Sequence, residues 1–211
     1  MDALRATFPG KNILPTIGNN DVIVHDQMPC SPDIHSYYFP EMFDTLFPEG
    51  QVPADFDRTG ARETYIIGGF YKHKFSNTKT TLLALNSMYW KLDNICEFDI
   101  GDYQLSWLQD QLSNAKTDDK FILSMHVFPG LNYFINKVEQ FWHTNYTEAF
   151  LEIITQHQDK IELVTGAHIH RQEVRDSISK QYPDLSVPFL ITPSISPVYN
   201  NNPGYTMIHI D

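Results

Sequence analysis

Three short stretches of this chain carry the residue types that metal coordination uses. Gly18-Asn19-Asn20-Asp21 offers carboxamide and carboxylate oxygens, which are hard donors for a divalent cation. His126 closes an apolar run, and Gly166-Ala167-His168-Ile169-His170 carries two imidazoles one residue apart. Imidazole nitrogen with Asn oxygen makes a partial coordination sphere suited to first-row metals. Each stretch alone is a weak signal. A Gly-Asn-Asn-Asp sequence is ordinarily a turn, and a histidine at a strand end is ordinarily a hydrogen-bonded structural residue. His168-x-His170 says more, because alternate positions on a strand face one side and both rings can converge on metal.

The elements that must position these groups are predicted from apolar runs rich in β-branched and aromatic residues. They give strands over 12–17, 64–70, 80–86, 120–125, 161–165, 188–191 and 205–210. The three polar stretches directly follow the first, fourth and fifth of these. Strand ends along one sheet edge are where α/β folds gather functional groups. Lys72 to Lys79 reads as the turn of an antiparallel hairpin. Leu105, Leu108 and Leu112 predict a helix over 103–115 with Asp102 as its N-cap. Phe150, Leu151, Ile153 and Ile154 predict another over 146–158, with Glu148 favouring its dipole, and a weaker helix covers 40–47. The segment 26–60 holds five of the thirteen prolines and reads as a surface excursion. The strand–helix–strand order from 80 to 165 predicts an α/β layered domain.

With 211 residues, 42% hydrophobic and 19% charged, the chain has the composition of one globular domain. A net charge of −11 argues against nucleic acid as a partner. It does not argue against a phosphorylated substrate, because bound cations dominate the local field of a metal site. No run approaches the ~18 apolar residues of a transmembrane span. Met1-Asp2-Ala3-Leu4-Arg5 has no apolar core of a signal peptide. Cys30 and Cys96 are read as free thiols, with one disulfide as the alternative, and Asn145-Tyr146-Thr147 is a lone glycosylation sequon. His35, His73, His143, His157 and His209 are read as surface or packing residues. Tyr37-Tyr38-Phe39 and Phe141-Trp142 are read as core or loop anchors. Nucleophile elbows, phosphate-cradling glycine loops and Cys-x-x-Cys pairs are absent from the sequence.

In this order and after strands, the three stretches resemble the G-N-[HN]-[DE], H-[IV]-x-P-G-like and G-H-x-H motifs of the calcineurin-like metallophosphoesterases. Pro193-Ser194-Ile195-Ser196-Pro197 through Asn202-Pro203-Gly204-Tyr205 is similar to the closing segment of the acid sphingomyelinase and endopolyphosphatase branch. Leu85-Asn86-Ser87 and Gln104-x-x-Trp107-Leu108 fit as well. The resemblance covers essentially the whole chain. It implies the C-terminal portion of a four-layer α-β-β-α sandwich, with residues 1–211 forming a single, incomplete phosphoesterase domain.

That family hydrolyses phosphoester or phosphoanhydride bonds with two divalent metal ions, Zn, Mn or Fe. By resemblance Asn19, His126 and His168 bind one ion and His170 the other. The family's remaining ligands come from an upstream D-x-H and G-D, which include the bridging carboxylate. Asp33-Ile34-His35 and Gly101-Asp102 have the letters but not the strand context, so the expectation is a chain without these motifs, holding one ion or none. Ala167 stands where the family usually has the Gly of G-H-x-H, beside Gly166. Asn20 occupies the position of the sphingomyelinase acid His and cannot act as an acid. Asn20 and Asp21-Val22-x-x-His25 resemble endopolyphosphatases instead, tilting the substrate from a phospholipid or other phosphodiester toward polyphosphate. The alternative is an inactive remnant that binds or supports, helped by a partner chain covering the absent half. The branch is mostly lysosomal, vacuolar or secreted, and no export signal is visible to assign a compartment.

Overall fold

Four of the apolar runs become the centre of one sheet. The computed structural model describes residues 1–96, 99–134, 137–175 and 180–209. The chain opens with an exposed helix α1 (Asp2–Thr7), then α2 (Pro32–Leu46) and α3 (Arg58–Gly68). It continues through β1 (Tyr71–Lys74), β2 (Thr80–Ala84), α4 (Ile100–Ser113), β3 (Lys120–Ser124), β4 (Leu131–Phe134) and β5 (Lys137–Gln140). The remainder is α5 (Thr144–Gln156), β6 (Ile161–Gly166), β7 (Glu173–Arg175) and β8 (Phe189–Ile191).

The sheet order is β1-β2-β3-β6-β8-β7. Strands β2, β3, β6 and β8 run parallel, and β1 and β7 close the edges antiparallel. Parallel pairing demands crossovers, and α4 and α5 supply them between β2, β3 and β6. Each helix buries the stripe its periodicity announces: Leu105, Leu108 and Leu112 in α4, and Phe150, Leu151 and Ile154 in α5. The fold is therefore α/β, with a mixed sheet as expected for part of the layered sandwich. Among the described residues, no helix is long and apolar enough to cross a membrane.

Several elements differ from the sequence reading. Residues 12–17 pair with no strand; Ile17 is seated instead against Gly69, where a Cβ would approach its Cδ1 to 2.3 Å. Tyr71 Oη donates to the Pro15 carbonyl at 2.9 Å and fastens the same segment. Residues 64–68 finish α3 rather than forming a strand. Asp57 caps that helix by accepting from Gly60 N at 2.9 Å, and Gly69 ends it in the left-handed region at φ 75°. The hairpin holds, with its first strand moved to Tyr71–Lys74. Residues 205–209 form no strand, and Ile210 lies outside the described residues. Helix α4 begins at Ile100 with Asp99 at the cap position, so Asp102 sits in its first turn.

The proline-rich stretch is not a surface excursion. Pro32 starts α2, and Phe39, Phe43, Phe47 and Phe56 are buried against Tyr65 and Tyr71. Phe47 stacks on Phe56 at 4.8 Å and meets Phe43 at 5.0 Å and Tyr71 at 5.2 Å. The thiols are not free either: Cys30 and Cys96 form a disulfide across 66 residues, with Cα atoms 5.0 Å apart. Two hydrogen bonds run beside it, Met28 N to Asn94 Oδ1 at 3.1 Å and Ile95 N to Gln27 Oε1 at 3.0 Å. Replacing both cysteines by serine should lower stability by about 2–4 kcal/mol, read from denaturant unfolding under non-reducing conditions. An unchanged midpoint would mean the two thiols are not joined.

Candidate metal centre

Strands β3 and β6 are neighbours in the sheet, so the residues just past their carboxyl ends share one edge. His126 follows β3, and its loop is fastened on several sides. Ala167 N donates to His126 O at 2.8 Å, Val127 N donates to Ser87 Oγ at 3.0 Å, and Trp142 Nε1 donates to Val127 O at 3.1 Å. Ser87 is held in turn because Asn86 and Gln104, both fully buried, exchange two hydrogen bonds of 2.7 and 3.1 Å. These are residues the sequence reading marked, and the structure pairs them.

The Gly18–Asp21 turn comes to the same edge. Asp21 Oδ2 accepts from Gly18 N at 2.8 Å and closes the turn. A Cβ on Gly18 would lie 3.1 Å from the His126 ring, so glycine lets the backbone before Asn19 lie against the imidazole. Asn19 Oδ1 then lies 2.8 Å from His126 Nε2, which lies 3.3 Å from His168 Nδ1. The two imidazoles meet edge to face at 5.2 Å, and Phe141 packs edge-on against His168 at 5.3 Å.

Burial pushes His126 down to about 3, and the neighbouring His168, His170 and Lys91 add to it. Burial also lowers His168, with Lys91 contributing next. Both rings are therefore neutral near pH 7, the state in which imidazole ligates a metal. Asn19 Oδ1 and His168 Nδ1 thus flank His126 Nε2 at 2.8 and 3.3 Å, three donor atoms with no charge among them. Ligands about 2.1 Å from one cation stand roughly 3.0 to 3.4 Å apart; the His126–His168 pair falls in that range, and the Asn19–His126 pair at 2.8 Å would open slightly around an ion. Without an ion, one proton on His126 Nε2 serves both flanking acceptors. Among the described residues, no cluster of three His, Cys, Asp or Glu side chains could hold a metal; the third donor here is a carboxamide.

His170 stands apart from this trio. Strand β6 ends at Gly166, so His168 and His170 do not project from alternate strand positions. They lie in a turn with left-handed backbone, φ 76° and 58°, a conformation unusual for residues other than glycine. His168 turns to His126, whereas the His170 ring faces Tyr199 at 5.2 Å and its buried Nδ1 makes no hydrogen bond. Asn201 Nδ2 donates to His170 O at 2.8 Å, which ties the closing 193–205 segment to the turn. An open cleft of about 730 Å³ lies over the edge, lined by Asn19, Asn20, His168, His170, Lys91 and Arg171 among others. A second, of about 370 Å³, is lined by His126, His168 and His170 together with Pro193 and Tyr205.

Sequence reasoning did not place His25, Asp26 or Lys91 at the site. His25 Nε2 accepts from Asn19 Nδ2 at 2.8 Å, and Lys91 is buried beside Asp26. The Asp21-Val22-x-x-His25 pattern was the one available signal. Asp33-Ile34-His35 begins α2 and Gly101-Asp102 lies in the first turn of α4, so neither ends a strand.

No family model matches the chain. Individual relatives do. Sphingomyelinase phosphodiesterase D of Dictyostelium discoideum is 30% identical over 217 residues, 99% of this chain and 46% of the relative. Cyclic GMP-AMP phosphodiesterase SMPDL3A of Homo sapiens is 23% identical over 99% of this chain and 46% of its own length. An endopolyphosphatase of Neurospora crassa is 23% identical over 75% of this chain and 20% of its own length. These relatives are branches of the calcineurin-like metallophosphoesterases, to which the chain is similar over nearly its whole length. It spans about half the length of the sphingomyelinase-like members of that family that it matches, 46% in the first of them.

The half-buried imidazoles set a pH dependence for this protein. A histidine whose folded value lies below the unfolded ~6.5 leaves the unfolded chain holding more protons at lower pH. Stability of the metal-free protein should thus be full above about pH 6.5 and fall as pH drops toward the folded His126 value of about 3. His126→Gln should flatten that fall in denaturant titrations, and an identical profile for both proteins would contradict the neutral half-buried imidazole.

Proposed function

We propose that this chain forms part of the active site of a metal-dependent hydrolase of phosphoester or phosphoanhydride bonds. The observation that carries the reading is the convergence of Asn19 Oδ1, His126 Nε2 and His168 Nδ1 beside an open cleft. Those three would hold one divalent ion, Zn, Mn or Fe, and His170 serves a second. Bound ions of this kind activate water and neutralise charge on phosphoryl oxygens.

The chain's own residues bear on the substrate. Asn20 is exposed on the cleft, where its amide can hydrogen-bond to a phosphoryl oxygen but cannot deliver a proton. An alkoxide leaving group needs that proton; a phosphate leaving group, a far weaker base, does not. Phosphoanhydrides such as polyphosphate are therefore the favoured class, with phosphodiesters, phospholipids among them, behind.

A second reading is a binding chain that does not turn over substrate unless a partner completes the site. Of the three carboxylates lining the cleft, Asp26 and Asp93 are paired with Lys91 and so are not free to bridge two ions, which leaves Glu139. With Mn²⁺ or Zn²⁺ added, the full chain should release phosphate from polyphosphate and p-nitrophenol from bis(p-nitrophenyl) phosphate. His168→Ala should reduce both by roughly 100-fold or more. Asn20→His should raise hydrolysis of an alkyl phosphodiester relative to polyphosphate by roughly tenfold or more, by restoring an acid. No turnover of any of the three substrates would overturn the hydrolase reading in favour of the second.

A further inference from the structure

We infer that His25 is a positioning residue: it decides which end of the Asn19 carboxamide faces His126. The inference rests on the metal-centre reading above and adds to it a residue that the motifs do not assign. A carboxamide has an oxygen and a nitrogen of nearly equal size, and only the oxygen can ligate a cation. Something must choose between them.

The geometry supplies the choice. Lys91 Nζ pairs with Asp26 Oδ1 at 3.2 Å, and Asp26 Oδ2 lies 3.0 Å from His25 Nδ1. The Lys91 side chain is only 4% exposed, so its ammonium holds the Asp26 carboxylate in place rather than turning to solvent. A carboxylate only accepts, so the His25 proton sits on Nδ1 and leaves Nε2 as an acceptor. That lone pair takes the Asn19 Nδ2 hydrogen at 2.8 Å. Reversing the amide would set Oδ1 against the Nε2 lone pair and point an N–H toward His126. The hydrogen bond therefore locks Oδ1 on the side of His126 and His168.

The backbone serves the same end. Residues 24–27 form a tight turn with an antiparallel bridge between Val24 and Gln27, and Asp26 lies in the left-handed region at φ 66°. That turn folds back so that Asp26 N donates to Asn19 O at 3.3 Å. Asn19 is thus held through its main chain and its side chain by two consecutive residues. Partners that orient a metal ligand ordinarily change its affinity by 10–100-fold when removed.

The test uses the full chain and two variants. His25→Ala removes the acceptor, whereas His25→Gln keeps one in its Oε1. Titrating Zn²⁺ alone by calorimetry should show binding weakened roughly 10–100-fold in His25→Ala and within about threefold of the parent in His25→Gln. Equal affinity in all three proteins, or an equal loss in both variants, would overturn the inference while leaving the metal centre intact. No Zn²⁺ uptake by the parent would instead sink the metal-centre reading. The positioning contact is then judged by ¹⁵N NMR of the metal-free chain. A His25 ring protonated on Nδ1, with its Nε2 bonded to the Asn19 amide, is the expected state; a ring protonated on Nε2 would overturn the inference.

Discussion

The Ile17 side chain occupies the space beside Gly69 that a Cβ would fill, and this seat brings an unpaired segment to the carboxyl edge of a parallel sheet. That anchor helps to fix Asn19 relative to His126, because residues 12–17 gain no backbone pairing from a neighbouring strand. Gly69 can accept the side chain for two reasons that coincide. It ends α3 in a left-handed conformation that favours glycine, and it lacks the atom that would collide. The aromatic cluster of α2 and α3 then backs the segment, with Tyr71 holding the Pro15 carbonyl. Helix ending, core packing and the placement of Asn19 thus meet at one residue.

At the edge itself the electrostatics divide into two parts. His126 and His168 are half-buried and neutral, and they share a small space with a neutral carboxamide. Beside them a buried ammonium on Lys91 is balanced by Asp26 and Asp93. The charged pair does not contribute to the donor set. It fixes a carboxylate, which fixes His25, which fixes the amide. Stability and chemistry are coupled here because each member is satisfied only when the next is in place.

Much of the scaffold was legible in the sequence because its signals were local. The runs that became β2, β3, β6 and β8 are short and apolar, and the leucines of α4 and the apolar face of α5 fall at helical spacing. Their strand ends placed His126 and the His168 turn correctly at one sheet edge. The failures were of a different kind. Ile66 and Ile67 suggested a strand, but the Asp57 cap and the Gly69 ending made the segment helical. The helix read over 40–47 starts eight residues earlier, at Pro32, so Pro40 sits inside α2 rather than at its start. The Cys30–Cys96 bond and the partnership of Lys91 with Asp26 join residues more than sixty positions apart, and no local pattern announces either. The β4–β5 hairpin was missed as well, since Asn132 and Glu139 interrupt its apolar character.

The relation to sphingomyelinase-type and polyphosphate-cleaving enzymes and the geometry of the sheet edge lead to one claim, that Asn19, His126 and His168 form a ligand set. Zinc K-edge X-ray absorption on the full chain loaded with one equivalent of Zn²⁺ tests it most directly. Two imidazole nitrogens with oxygen in the first shell at about 2.0–2.1 Å are expected, reduced to one imidazole in His168→Ala. A first shell without imidazole scattering, or a spectrum unchanged by that substitution, would contradict it.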